Sequence, residues 1–198
     1  MLLLATLAIP AWASERTLLI LGDSLSAGYG LDRKDSWPSL LEERLRQGKF
    51  NWRTVNASVS GETSAGGRSR IQQAIRQYKP DLLILALGAN DGLRGLPLTE
   101  MKRNLAAIIV LAKQQKSRIL LLGMQLPPNY GAAYSKEFAA TFASLAREQR
   151  VALVPFMMEG FADQPAYFLP DGLHPNQTAQ PLIMETVWRA LRPLLEAR

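Results

Sequence analysis

The sequence predicts an α/β fold, a three-layer α/β/α sandwich built around a five-stranded parallel sheet. Short, continuously apolar runs at 17–21, 82–87, 119–122 and 151–154 have the length and saturation of strands buried on both faces. The segments between them repeat their apolar residues at helical spacing, so strand and helix alternate along the chain. That alternation favours parallel strands joined by helical crossovers on both sheet faces.

The first strand is the run at 17–21. After it, Trp37, Leu40, Leu41 and Leu45 form one helical stripe, with Ser36 placed to cap its N-terminus. A weaker strand follows at 53–56, and then a stripe of Ile71, Ala74, Ile75 and Tyr78. The third strand, 82–87, leads to a helix marked by Met101, Leu105, Ile108, Ile109 and Ala112. Thr99 is its expected cap, and Glu100 in its first turn complements the helix dipole. Strand 119–122 precedes the stripe Tyr134, Phe138, Phe142 and Leu145, and strand 151–154 comes last. The closing helix is expected over 178–195, with Pro181 confined to the first turn, where a missing N–H does no harm. These stripes read as core faces.

At 198 residues and 47% hydrophobic content, with no linker or repeat, residues 14–198 read as a single domain. Residues 1–13 read as a signal peptide: an almost wholly apolar run ending in Ala11-Trp12-Ala13, an A-x-A-like cleavage site. The run is too short to span a bilayer. Export points to a bacterial periplasm or exterior. There are no cysteines, which removes disulfides and thiolate metal sites. The formal charge of +6 is scattered rather than clustered, as on a solvated basic surface, and no nucleic-acid motif with interleaved aromatics accompanies it.

The chemistry-bearing residues fall in the loops after the strands. In open parallel sheets those loops gather at one edge, where ligands bind. The first is Gly22-Asp23-Ser24-Leu25-Ser26 and the second runs from Asn56 to Thr63. The third is Gly88-Ala89-Asn90-Asp91-Gly92, the fourth spans Gln125 to Gly131, and the fifth ends in Asp171-Gly172-Leu173-His174. His174 is the only histidine in the chain. A serine hydroxyl needs a base, and the base needs a carboxylate to orient it. Ser24, His174 and Asp171 supply those three types, and Asp-x-x-His spacing can bring carboxylate and imidazole to one side of a turn. Ser26, Ser58 and Ser60 compete as nucleophiles but do not open the loop after the first strand.

Four blocks in order (GDSLS, NASVSGETSAGG, GANDGLRG and DGLHP) closely resemble the SGNH (GDSL) hydrolases, in particular the thioesterase I/lysophospholipase L1/arylesterase branch. LPPNYG and LVPF resemble that branch too, and the similarity runs from Thr17 onward. Two departures are Glu62, where the branch often has Asp, and Ala89, where it often has Gly. The resemblance implies a flavodoxin-like SGNH hydrolase fold, Ser24 as nucleophile, His174 as base and Asp171 as its orienter. It assigns an oxyanion hole to the Ser24 and Gly61 N–H groups and the Asn90 side-chain amide, with no metal and no cofactor. It implies hydrolysis of lysophospholipids, acyl thioesters and aryl esters. A carbohydrate O-acetyl esterase is the alternative within the family.

Leu93, Leu96 and Pro97 after the third block, with Leu126, Pro128 and Tyr130 after the fourth strand, are expected to form an apolar wall for an acyl chain. Asp23 and Asp91 are read as structural acids that bond loop amides. Two rival classes remain. A Mg²⁺-dependent phosphotransfer domain would use Asp23 and Asp91, but it lacks a lysine after the fifth strand. A non-catalytic periplasmic binding module would leave the serine and histidine runs unexplained. The partners expected are small acyl substrates, the state monomeric, with no nucleic acid.

Overall fold

The structure, a computed structural model, describes residues 14–196. The signal-peptide expectation at 1–13 lies outside the described residues.

Five parallel strands form the sheet: β1 (Arg16–Gly22), β2 (Trp52–Asn56), β3 (Leu82–Ala86), β4 (Arg118–Leu122) and β5 (Ala152–Val154), in the order β2-β1-β3-β4-β5. All five residues of β3 are buried, and six of the seven in β1. That double-sided burial explains why these runs show no polar alternation. Edge strand β2 is buried fully only at Trp52, which accounts for the weakness of the 53–56 signal. Edge strand β5 keeps three residues with only Val154 buried, so the run at 151–154, unlike the expectation, is not covered on both faces.

Helix α2 (Trp37–Gln47) packs with α7 (Gln180–Glu196), while α3 (Ser64–Tyr78), α5 (Leu98–Gln114) and α6 (Ala132–Gln149) pack side by side as the other helical layer. Their stripes enter the core: Trp37, Leu41, Ile71, Met101, Ile108, Phe138 and Phe142 are almost wholly inaccessible. Close packing of helix on sheet is tightest at Gly67, where an added Cβ would lie 2.2 Å from Leu87 Cδ1. Pro181 lies in the first turn of α7, as expected.

Two caps differ from expectation. Helix α5 begins at Leu98 with Pro97 as its cap residue, so Thr99 is already inside the helix. The Pro97 carbonyl accepts the N–H groups of Glu100 and Met101. Ser36 does occupy the cap position of α2, but its hydroxyl donates to the Arg33 carbonyl at 2.7 Å. The orphan Trp37 N–H is taken instead by Gln180 Oε1 at 3.0 Å, a long-range cap from α7.

Two further helices are too short to leave a periodic signal. They are α1 (Ser24–Ala27) and α4 (Ala89–Leu93), lying in stretches read from sequence as loops. Strand order reverses between β1 and β3. This is the switch point at which an open α/β sheet opens a crevice beyond its strand ends. Helices α1 and α4 flank that crevice.

Candidate active site

Ser24 is the first residue of α1, immediately after β1. Asp23 caps this helix with its Oδ1, which accepts the Leu25 N–H at 3.0 Å. Gly28, in the left-handed region at φ 78°, ends it after one turn. The chain is thus forced sharply from strand to helix, and the serine side chain stands at the crevice.

The loop that carries the histidine is braced from several sides. Phe168 and Pro175 form an isolated antiparallel bridge, and the Leu169 N–H donates to the His174 carbonyl at 2.8 Å. Below it, Gln180 Nε2 donates to the Pro175 carbonyl, so the residue that caps α2 also holds this loop. Asp171 Oδ1 accepts the N–H groups of Leu173 and His174 at 2.9 and 3.0 Å, and its Oδ2 lies 2.7 Å from His174 Nδ1. The backbone N–H of His174, then that of Leu173 and the imidazole, hold the Asp171 carboxyl down at about 2 against partial desolvation. It is therefore ionised wherever the protein is folded near neutrality.

His174 Nε2 lies 2.9 Å from Ser24 Oγ. One hydrogen-bonded chain thus joins residues from the two ends of the sequence, with Nδ1 facing the carboxylate and Nε2 the hydroxyl. With the proton on Nδ1, Nε2 is the acceptor, as a base requires. The competing hydroxyls do not reach the imidazole. Ser26 and Ser58 hold their Oγ atoms buried and unpartnered among the described residues, and Ser60 is exposed. Sequence reasoning did not single out Tyr29, whose ring lies over His174 with centroids 4.4 Å apart and planes at 37°. Its sequence signal is an aromatic residue between two glycines directly after the serine block.

The three groups expected to donate to the oxyanion lie on three different loops. The Ser24 N–H opens a helix, where no intrahelical carbonyl is available to it. Gly61 has φ 78°, and its N–H has no protein partner among the described residues. Asn90 sits in the first turn of α4 and donates from Nδ2 to the Glu62 carbonyl at 3.1 Å. The Gly61–Glu62 turn is pinned again by Arg94, which donates to the Gly61 carbonyl at 2.9 Å, and by the Arg70–Glu62 ion pair. Both family departures fit here. Glu62 reaches Arg70 with its longer side chain, and Ala89 is ordinary helix because Gly88 takes the positive φ of 117°.

The two acids read as structural are so. Asp91 accepts from both the backbone N–H and the hydroxyl of Ser64, which fixes the start of α3 to α4. Asp23 is 1% exposed, with Oδ2 unpartnered among the described residues. Burial pushes its carboxyl up to about 7, against the Leu25 N–H bond that lowers it; the Asp91 and Glu62 charges add a smaller upward push. Both carboxyls thus serve the scaffold, which leaves the phosphotransfer reading without its ligands. Among the described residues, no three His, Cys, Asp or Glu side chains are grouped to hold a metal ion.

None of the six residues of the expected acyl wall lines the recess at Ser24 or the cleft beside the histidine loop. Leu96, Pro97 and Pro128 are exposed and Leu93, Leu126 and Tyr130 half-buried, on adjoining segments that Tyr134 ties together through the Leu96 carbonyl at 3.2 Å. A small recess lies against Ser24, Tyr29, Leu31 and His174. A larger cleft of about 450 Å³ opens behind the histidine loop, between Ala162, Asp163, Phe168, Leu169 and Gly172.

The profile of the GDSL-like lipase/acylhydrolase family matches residues 20–180. The esterase TesA of Pseudomonas aeruginosa is 43% identical over 192 residues, 97% of this chain and 96% of that protein. The thioesterase 1/protease 1/lysophospholipase L1 of Escherichia coli is 41% identical over 183 residues, 92% of this chain and 86% of its own length. A crystal structure of the psychrotrophic esterase EstA from a Pseudoalteromonas species, inhibited by monoethylphosphonate, superimposes with a TM-score of 0.87 at 37% identity, covering 92% of this chain and all of that one. With a matched profile across most of its length and relatives of this identity, the chain belongs to the GDSL-like lipase/acylhydrolase family.

Proposed function

We propose that the protein is a serine hydrolase that cleaves carboxylic ester and thioester bonds through an acyl-enzyme on Ser24. The single observation that carries this is the hydrogen-bonded chain from Ser24 Oγ through His174 to Asp171, at 2.9 and 2.7 Å.

Ser24 Oγ attacks the acyl carbonyl as His174 Nε2 takes its proton, and Asp171 stabilises the imidazolium that forms. The Ser24 N–H, the Gly61 N–H and Asn90 Nδ2 receive the tetrahedral oxyanion. The hole is held before substrate arrives, because the turn at 61–62 is pinned by Asn90, Arg94 and Arg70. Collapse expels the alcohol or thiol, which takes the proton from Nε2, and leaves the acyl group on Ser24. Water, activated by the same imidazole, completes the turnover.

The names of the relatives support a substrate class of aryl esters, acyl thioesters and lysophospholipids. The acyl chain lies along the apolar ridge of Leu93, Leu96, Pro97, Leu126, Pro128 and Tyr130. We further propose that residues 1–13 direct export to the periplasm or beyond and that the enzyme acts as a monomer. Among the described residues no helix is long and apolar enough to cross a membrane.

The test is steady-state hydrolysis of p-nitrophenyl esters from acetyl to palmitoyl by wild type and Ser24→Ala. A loss of at least about 10⁴-fold in kcat/KM for Ser24→Ala supports the nucleophile. A rise in kcat/KM with chain length supports the ridge. A fall from acetyl onward would move the substrate to O-acetyl groups.

A further inference from the structure

The imidazole of His174 is held at three points. Asp171 binds Nδ1, Ser24 Oγ binds Nε2, and the Tyr29 ring covers one face with centroids 4.4 Å apart. These supports are unequal during turnover. Once Ser24 is acylated its hydroxyl proton is gone, and the bond to Nε2 goes with it. The remaining polar partner, Asp171, sits on an exposed loop beside Gly172 at φ 66°. One hydrogen bond leaves the ring free to swing about the Nδ1–carboxylate contact. A ring packed on its face opposes that swing.

Tyr29 is placed for this at some cost. It is 51% exposed, so core burial does not account for its position. Glycines flank it on both sides, each in the left-handed region, at φ 78° and 73°. A side chain at the second would be strained by that φ, and its Cβ would push aside Leu169 Cδ1, 2.6 Å away on the histidine loop. Two turns closed by glycine thus present one aromatic ring to one imidazole. The π face also favours the imidazolium formed in each half-reaction, because the ring quadrupole is negative on its face.

We infer that Tyr29 is a positioning residue that keeps the His174 imidazole in its productive plane while Ser24 carries the acyl group. The inference rests on Ser24 and His174 acting as nucleophile and base. Its weight falls on deacylation, when the serine no longer helps to hold the ring.

The lone histidine makes the test direct. Full-chain protein with ¹³C-labelled histidine gives a single set of ring cross-peaks. They are recorded for wild type, Tyr29→Phe and Tyr29→Ala, before and after Ser24 is blocked with a fluorophosphonate. Wild type and Tyr29→Phe are expected to keep sharp ring signals with an aromatic ring-current shift in both states. Tyr29→Ala is expected to lose that shift and to broaden on blocking.

In parallel, for an activated aryl ester, Tyr29→Ala is expected to lower kcat about three- to tenfold. Its kcat/KM, which reports acylation, should fall less, and Tyr29→Phe should restore both. Equal falls in kcat and kcat/KM overturn the inference, as do sharp signals in blocked Tyr29→Ala or a failure of Phe to rescue. Wild type that does not react with the fluorophosphonate overturns the nucleophile itself. Wild type that reacts, beside a Tyr29→Ala indistinguishable from it, overturns the role of Tyr29 alone.

Discussion

Replacing Asp23 by Asn should make the folded protein insensitive to a pH change that destabilises wild type. The Asp23 carboxyl is 1% exposed, and burial raises it from an ordinary 3.8 to about 7. The acids that face it, Asp91 and Glu62, push in the same direction. Between those values the folded chain holds a proton that the unfolded chain has lost, so stability falls as pH rises from about 4 and levels off above about 7. At about 1.4 kcal/mol per pH unit the whole penalty is about 4 kcal/mol, with about 2 kcal/mol of it between pH 5 and 7. Asn caps a helix as well as Asp does and carries no charge to bury. Urea unfolding of wild type and Asp23→Asn at pH 5, 6, 7 and 8 measures the difference. The variant should gain on wild type across the series and exceed it by up to about 4 kcal/mol at pH 8. Parallel curves for the two proteins would mean that the buried carboxyl does not titrate in this window.

Asn90→Ala should lower kcat by about 10²–10³-fold with little change in KM, since a donor to the oxyanion is needed chiefly in the transition state; unchanged kcat would remove it from the hole. Asp171→Asn should lower kcat by about 10⁴-fold, because its amide turned toward Nδ1 favours the tautomer whose Nε2 already bears a proton. Asp171 also contributes stability of the opposite pH sense to Asp23. Its carboxyl is held at about 2, so that contribution is present above about 4 and lost as pH falls toward 2, which acid unfolding of the same variant will show. Gly123→Ala should destabilise by about 2–3 kcal/mol in thermal or urea unfolding, because its Cβ would meet the Pro155 carbonyl oxygen at 2.2 Å, and backbone there cannot rotate away.

The features legible in the sequence are those with strong periodicity or rare composition. Runs such as Leu82 to Ala86 announce strands because both faces are buried, and the stripe from Met101 to Ala112 announces α5 because one face is. The lone histidine narrowed the choice of base to one residue, and the blocks after the strands gathered at one edge because parallel topology sends every strand end there. Short or non-local features were not legible. One-turn helices such as α1 and α4 are set by an Asp cap and flanking glycines and leave no period. The cap of α2 comes from Gln180, far along the chain, and Pro97 displaced Thr99 because proline's fixed φ already suits a helix entry. Tyr29 was not legible because its ring contact with His174 spans the fold. The upward push on Asp23 was hidden for the same reason, since burial is a tertiary property.

Ser24 as a nucleophile activated by His174 is directly accessible to covalent labelling. Full-chain wild type and His174→Ala are treated with a fluorophosphonate, and the adduct is located by peptide mass spectrometry. Stoichiometric labelling of Ser24 is expected in wild type, and its loss in His174→Ala. No adduct, an adduct on Ser26, Ser58 or Ser60, or labelling just as fast without the histidine would contradict it.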